Sequence, residues 1–479
     1  VPALAQDLYA RWRQSVRPPQ AFAEGCEPVP ERWLQQIWRH QRIRRGDLAT
    51  TDGRRVQIIH PGFWNRGAGP DFQYAIVRIG DALPVTGSIE IDVVPTGWKH
   101  HGHDRNPAFG GVVLHVVWSG NPITGSPPAL RLEDVLEAPL ATLGCWLDEE
   151  APDLFPDSTA GKCAAPLRDL QTPAVIELLR QASLVRLERK SSEFALRAKS
   201  CGWERALWSG VFTALGYRHN VWPMRRIAEA LAIDGVAGDA DAVVWEARLL
   251  GVAGMLETGV SPSARLAPHV RTLWDAWWRE RDRLLGEILP AEAWKLVGIR
   301  PANHPQRRLA LAARWISKGR LIPALESWIA ADLSPPASCE RLFHDIAPAD
   351  DSFWSRHWTL RSPENKRAGP LLGMSRFTDL AMNVFLPWLH ARATSGTETR
   401  LAARIEARYA AWPEGDDNTV LKLARQRLFG PAAKTVPRTA AAQQGLLQIA
   451  RDFCARSDAI CTACRFPALV GSLKQSTTD

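Results

Sequence analysis

Between residues 28 and 41 the apolar side chains fall at Trp33, Leu34, Ile37 and Trp38. Spacings of three and four place them on one face of a helix, so the pattern predicts a helix over Pro28–Gln41. The rhythm then changes to short runs rich in β-branched residues. Val56–His60, Ala75–Ile79, Ser88–Val94 and Val112–Trp118 are predicted strands, and Ala129–Glu133 is a further candidate. Turns rich in Gly, Pro and Asn separate them. A helix followed by several strands implies an α+β or α/β layer over residues 1–150.

Glu149–Pro173 holds four prolines and ends in Thr172-Pro173, which favours a linker over 151–172 followed by a helix start. Beyond it the periodicity is helical throughout. Thr172–Ser200, Trp203–Leu215, Met224–Leu231, Ala242–Leu256, Leu273–Ile288, Arg307–Ile316, Leu371–Ala391 and Thr439–Cys454 are expected helices. A division near Pro290–Pro305 would split this region into domains of about 173–300 and 301–479, the length favouring more than one domain.

The strand pattern also places chemistry. Gly87-Ser88-Ile89-Glu90-Ile91-Asp92-Val93 alternates, so Glu90 and Asp92 project from one face and Ile89, Ile91 and Val93 from the other. Gly69-Pro70-Asp71-Phe72 opens the strand before it. If Asp71 adjoins that face, three carboxylates converge, and Mg²⁺ or Mn²⁺ is the natural partner for such an oxygen-rich set. The alternative is that Asp71 caps a turn while Glu90 and Asp92 lie on a solvated face. Just downstream, Trp98-Lys99-His100-His101-Gly102-His103-Asp104 and His115 put four of the twelve histidines within sixteen residues. His101 and His103, two apart, are candidate metal ligands or phosphate contacts. His115, set among valines, reads more readily as a core histidine.

The acid layout resembles that of the PD-(D/E)xK phosphodiesterase superfamily. On that resemblance Asp71 and Glu90 hold the metal and Glu31 assists from the helix. Asp92 stands where the superfamily carries its lysine, so it would hold metal or water, and Lys99 would have to supply the cation. The resemblance implies a restriction-endonuclease-like core with a mixed sheet. A wider set of motifs is similar to the bacterial family called domain of unknown function 2851. They include Glu31 with Trp33-Leu34 and Ile37-Trp38, Thr51-Asp52-Gly53, Ala68-Gly69-Pro70-Asp71-Phe72, Ile89-Glu90-Ile91, Trp98, His101, His103 and Val112–Val117. In the helical part they include Leu215-Gly216-Tyr217, Asn220, Arg300–Pro305 with Arg308, and Asn383 before Leu386-Pro387. The chain departs from that family's pattern at three polar positions. The family has a histidine where this chain has Asp92, and an aspartate where it has Gly97 and Asn106.

Composition changes this picture only slightly. Apolar residues make up 46% and charged residues 23% of the 479, ordinary globular values. The net charge of +8 favours a polyanion partner, DNA more than RNA. Arg189 and Lys190 on one long helix, and the pair Arg307 and Arg308, join Lys99 as candidate nucleic-acid contacts. Cys454, Cys461 and Cys464, spaced C-x₆-C-x₂-C, suggest a structural Zn²⁺ if a distant residue supplies a fourth ligand; an iron–sulfur cluster and free thiols are the other readings. Eight scattered cysteines, no signal-like amino terminus and no run of about 18 apolar residues point to a cytoplasmic protein without a membrane span. Two functions from different classes follow. One is a divalent-metal-dependent nuclease acting through Asp71, Glu90, Asp92, Glu31, His101 and His103. The other is a catalytically degenerate module of the same fold that binds nucleic acid or a protein partner. A metal-dependent hydrolase of another substrate, built on the histidines, is the remaining possibility.

Overall fold

The structure is a computed structural model. It describes residues 4–5, 7–16, 29, 31–65, 68–120, 125–138, 140, 161–217, 219–233, 241–256, 268–297, 299–348, 351–417, 419–430, 438–454 and 464–475. The architecture is α+β. The chain divides into two compact units, Gln14–Pro152, and Val1–Arg13 together with Asp153–Asp479.

The first unit is a mixed sheet with short helices. Strands β1 (Val56–His60), β2 (Phe63–Trp64), β3 (Phe72–Ile79), β4 (Val85–Asp92), β5 (Val112–Val117) and β6 (Ala129–Arg131) lie in the order β1-β3-β4-β5-β6, with β2 also paired to β3. The β1–β3 and β3–β4 pairings are antiparallel, and β4–β5 and β5–β6 parallel. Helix α2 (Glu31–Arg39), which follows α1 (Leu8–Val16), turns Trp33, Leu34, Ile37 and Trp38 into one core with Ile89 and Ile91 of β4 and Leu114 and Val116 of β5. Glu90, Asp92 and His115 therefore belong to the opposite face. There Trp98, from the short helix α3 (Gly97–His100), packs with Phe109 and Val112. Both faces of the central strands are covered, so Glu90 and Asp92 are buried at 7% and 2% exposure rather than lying on the solvated face of the alternative reading.

The second unit is helical among its described residues. Its axis is α5 (Thr172–Cys201), which follows the short α4 (Ala164–Arg168). Helices α6 (Trp203–Leu215) and α14 (Leu386–Ser395) pack on it, as does α17 (Ala440–Ile449). Where α5 and α17 cross, a Cβ on Gly445 would lie 2.2 Å from the Leu179 carbonyl oxygen, so only glycine permits the approach. The chain on both sides of the division expected near residue 300 falls within one compact unit. Leu289, Ala293 and Trp294 share one apolar core with Leu309, Leu311 and Trp315 of α10 (Pro305–Lys318). The predicted helix over Leu371–Ala391 is interrupted: α13 (Met374–Leu380) runs through a π-helical turn at Ala381–Phe385 into α14.

The basic pair at the start of α10 is not a phosphate-facing surface. Arg307 and Arg308 are 2% and 4% exposed. Arg307 donates to the carbonyls of Trp354, His357 (2.8 Å), Gly369 (3.4 Å) and Pro370 (3.0 Å). Arg308 donates to Leu371 O (3.3 Å), the Tyr217 hydroxyl (3.1 Å) and Asn303 Oδ1 (2.5 Å). Both guanidinia tie down the chain leading from residue 354 to 371, which has no ladder of its own. Hydrogen bonds to a charged donor contribute about 1.5–3 kcal/mol each. Arg307→Ala is therefore expected to lower stability by at least about 3 kcal/mol, read as a fall in the denaturant midpoint with no change in slope.

Candidate metal centre

Asp71 reaches the site through a turn that its sequence enforces. Gly69 sits at φ +100°, a region that disfavours a side chain, and Asn65 donates to the carbonyls of Ala68 (3.1 Å) and Pro70 (3.0 Å). The β3–β4 ladder ends at Phe72 opposite Ile89, so the next main-chain N–H groups of β4 lose their strand partner. The Asp71 carboxylate replaces it: Ile91 N–H donates to its Oδ2 at 3.0 Å. Its Oδ1 accepts from Gln35 Nε2 at 3.0 Å, and the same amide donates to Glu31 Oε1 at 3.1 Å. Asp71 N–H in turn donates to Glu90 Oε2 at 3.1 Å.

The sequence therefore brings Asp71 and Glu90 together, with Glu31 joined to them through Gln35. Burial, and then the charge of Glu31, pushes the Asp71 carboxyl up. Burial, and then Asp71, pushes Glu90 up. Burial and Asp92 push Glu31 up. Crowded carboxyls of this kind hold protons unless a cation neutralises them.

The set that can share an ion differs from the one expected. Among the described residues, one ligand atom each from Asp92, His101 and His103 lies within 4.8 Å of the other two. Asp71 is not in this group; its two oxygens accept from Ile91 N–H and Gln35 Nε2. Asp92 Oδ1 lies 3.2 Å from His101 Nδ1, and Glu90 Oε1 lies 3.1 Å from His103 Nε2. Two ligands about 2.1 Å from a common ion are themselves about 3.0–3.4 Å apart, so the Asp92–His101 pair already has ligand spacing. His103 Nε2 is buried and has no hydrogen-bond partner among the described residues, although a carboxylate oxygen is so near. A cation placed between this nitrogen and the Asp92–His101 pair would give it a well-directed partner. Burial lowers the His103 pKa and so favours the neutral, ligating form.

The ring of His103 is held rather than loose. It stacks on Phe109 with centroids 3.9 Å apart and meets the edge of Trp98 at 5.6 Å. His115, expected as a core histidine, has 0% exposure, and its Nε2 is 2.9 Å from Asp92 Oδ2. It lies behind the first-contact group as an orienting partner of the carboxylate, the arrangement that fixes many metal ligands. His101 is half-exposed, with 48% of its side chain open, and faces solvent more than the others.

A family model described as protein of unknown function (DUF2851) matches residues 31–418. The chain belongs to the DUF2851 family. No curated protein and no solved structure matches it. Two of this chain's departures from the resembled DUF2851 pattern, Asp92 and Gly97, touch one another. A Cβ on Gly97 would lie 2.5 Å from Asp92 Oδ1 and 2.6 Å from its Cγ. The Asp92 carboxylate thus fills the space that a side chain at position 97 would need. The third, Asn106, accepts from Ala108 N–H at 3.1 Å and caps the turn bearing Phe109.

The remaining candidates fall outside this centre. Lys99 is exposed on α3. Arg189 pairs with Glu193 at 2.8 Å, and Lys190 is held by Asn383 and Gln444, all within the helical unit. Cys454 ends the π-helical turn Ala450–Cys454, and Cys464 Sγ lies 3.9 Å from Phe453 O. Cys461 lies outside the described residues. Among the described residues no helix is long and apolar enough to cross a membrane.

Proposed function

We propose that the sheet unit is a metal-binding module. Asp92, His101 and His103 hold a divalent ion, and the loaded centre binds a phosphodiester, with nucleic acid the expected polymer and DNA preferred over RNA. The observation that carries this reading is the convergence of Asp92, His101 and His103, whose ligand atoms lie within 4.8 Å of one another. A mixed nitrogen and oxygen set favours Mn²⁺, Zn²⁺ or Fe²⁺ over Mg²⁺. Three protein ligands leave coordination positions that water or a phosphate oxygen can take.

Hydrolysis is a second reading, favoured by the direct contact between Asp71 and Glu90, the two acids that the superfamily resemblance makes essential. Against ordinary turnover stands Asp92. Where that superfamily carries a lysine, this chain has a carboxylate engaged by His115 and His101. One experiment separates the two. Fluorescently labelled single- and double-stranded DNA and RNA are titrated with the full chain in Mn²⁺, in Zn²⁺ and in chelator, and each mixture is scored for binding and for cleavage. The module reading expects metal-dependent, salt-sensitive binding of intact strands. Cleavage that disappears in Glu90→Gln would replace it with the hydrolytic reading, and metal-independent behaviour would remove the basis for both.

Metal addition itself has an expected effect on stability. A ligand that binds only the folded state at a hundred times its Kd stabilises by about 2.7 kcal/mol. Saturating Mn²⁺ or Zn²⁺ should raise the unfolding midpoint by a corresponding step, and the same addition to Asp92→Asn should not.

A further inference from the structure

The helical unit holds a second polar centre that the metal site does not use. Asp and Glu outnumber Lys and Arg in residues 14–152, so the chain's positive excess lies in the helical unit. Part of it is concentrated inside. Arg186, Arg189 and Lys190 are spaced i, i+3 and i+4 along α5, and all three point from one side of the helix.

Their partners are short of negative charge. Arg186 Nε donates to Gln444 Oε1 at 2.6 Å, and Lys190 Nζ donates to the same oxygen at 3.3 Å and to Asn383 Oδ1. Both acceptors are neutral amides. Among the described residues neither cation has a carboxylate partner, and the two Nη groups of Arg186 have no protein partner. Of the three, Arg189 is the one paired with an acid, Glu193.

The setting is deep but open. Burial, and next the neighbouring arginine charge, lowers Arg186 to about 10 and lowers Lys190 well below the usual lysine value. Yet both residues keep intermediate solvent exposure, so part of each side chain is open to solvent. Asn383 lies in the π-helical turn 381–385, where its Nδ2 donates to Asp379 O at 2.8 Å and its Oδ1 is left for Lys190. Such turns recur at functional sites. A second, independent observation comes from α15 (Thr399–Ala410). The Tyr409 hydroxyl, in a residue of 0% exposure within the electrostatic reach of Arg186 and Arg189, has no hydrogen-bond partner among the described residues. Two cations lacking anionic partners and a buried donor lacking an acceptor have one common remedy, an acceptor-rich anion.

We propose that this cluster, where α5, α15, α17 and the π-helical turn meet, binds a phosphate group, either free or carried by a small molecule, through Arg186, Lys190 and the Tyr409 hydroxyl. The test is calorimetric titration of the full chain at constant ionic strength with inorganic phosphate and with a nucleoside monophosphate, chloride serving as the blank. Repeating it in His103→Ala excludes phosphate held through a metal. Saturable binding above the chloride blank is expected for at least one probe. Both probes binding means that the phosphate group suffices, and the nucleotide alone means that a carried phosphate is required. Arg186→Gln and Lys190→Met should each weaken binding by about tenfold or more, and Tyr409→Phe, which keeps the packing volume, by a few-fold.

Unfolding temperature provides the check against a purely structural role. In chloride, Lys190→Met removes an unneutralised charge and should unfold no lower than the parent chain. Should it fail to fold, Tyr409→Phe and Arg186→Gln still decide the matter. No phosphate-specific binding, or unchanged affinity in these two variants, overturns the site.

Discussion

Replacing His103 with alanine is expected to reduce divalent-metal affinity by at least about a hundredfold, beyond the range typical for loss of an outer partner. Its ring is the best-held of the candidate ligands, clamped between Phe109 and Trp98 with Nε2 turned towards the carboxylates. Removing it deletes a ligand and leaves Glu90 facing a void. His101→Ala should cost less, because that side chain is half-exposed and water can take its place. The order His103 before His101 is the informative part, measured by competitive titration against a chromogenic chelator. Equal losses, or a larger loss at His101, would contradict the account of which ligand is built in.

The second large effect is expected at Gly97, a residue with no functional group. Gly97→Ala would put a methyl where the Asp92 carboxylate now lies, 2.5 Å from Oδ1. Either α3 must shift or Asp92 must leave His115 and His101. Overpacking of this kind costs about 1–3 kcal/mol, and here the strain falls on the metal ligand itself. Metal binding should therefore fall towards the level of Asp92→Ala, with a modest loss of stability. The pairing also makes a reciprocal forecast. Gly97→Ala made in Asp92→Ala should cost little stability, since the space is then empty, so the two substitutions should be strongly non-additive in a double-mutant cycle. Additive losses would show that the contact is not what couples them.

Much of the sheet unit was legible because its signals are local. The three-and-four spacing of Trp33, Leu34, Ile37 and Trp38 gave α2, and alternation around Ile89 and Ile91 correctly sent Glu90 and Asp92 to the other face. Strand ends were less readable. β3 begins at Phe72 rather than Ala75, because Gly69 and Pro70 close the turn immediately before it. What the alternation could not give was the second layer over Glu90 and Asp92. That cover depends on Trp98 and Phe109 folding back, a contact with no periodic trace. The same gap hid the role of His115: its valine neighbours announced burial, but its hydrogen bond to Asp92 spans two strands.

The carboxylate triad expected from spacing became an Asp–His–His group for a similar reason. Counting residues placed Asp71 beside Glu90, and its main-chain N–H does donate to Glu90 Oε2, but counting cannot show that Ile91 N–H and Gln35 bond to its carboxylate. In the helical unit, Arg307 and Arg308 looked like surface charge because their carbonyl partners lie some fifty to sixty residues further along. Helices α11 (Leu321–Ala330) and α12 (Pro335–Ile346) escaped notice, since proline at their starts reads as a break as readily as a first turn. The π-helical turn within 371–391 leaves no mark in an otherwise continuous apolar run.

The most direct measurement of the central claim is an anomalous-scattering map from crystals grown with Zn²⁺ or Mn²⁺. The account predicts one strong peak in the sheet unit, about 2.0–2.2 Å from an Asp92 oxygen, a His101 nitrogen and His103 Nε2. An empty map there at saturating metal, or an ion bound instead between Asp71 and Glu90 with both histidines turned away, would contradict it.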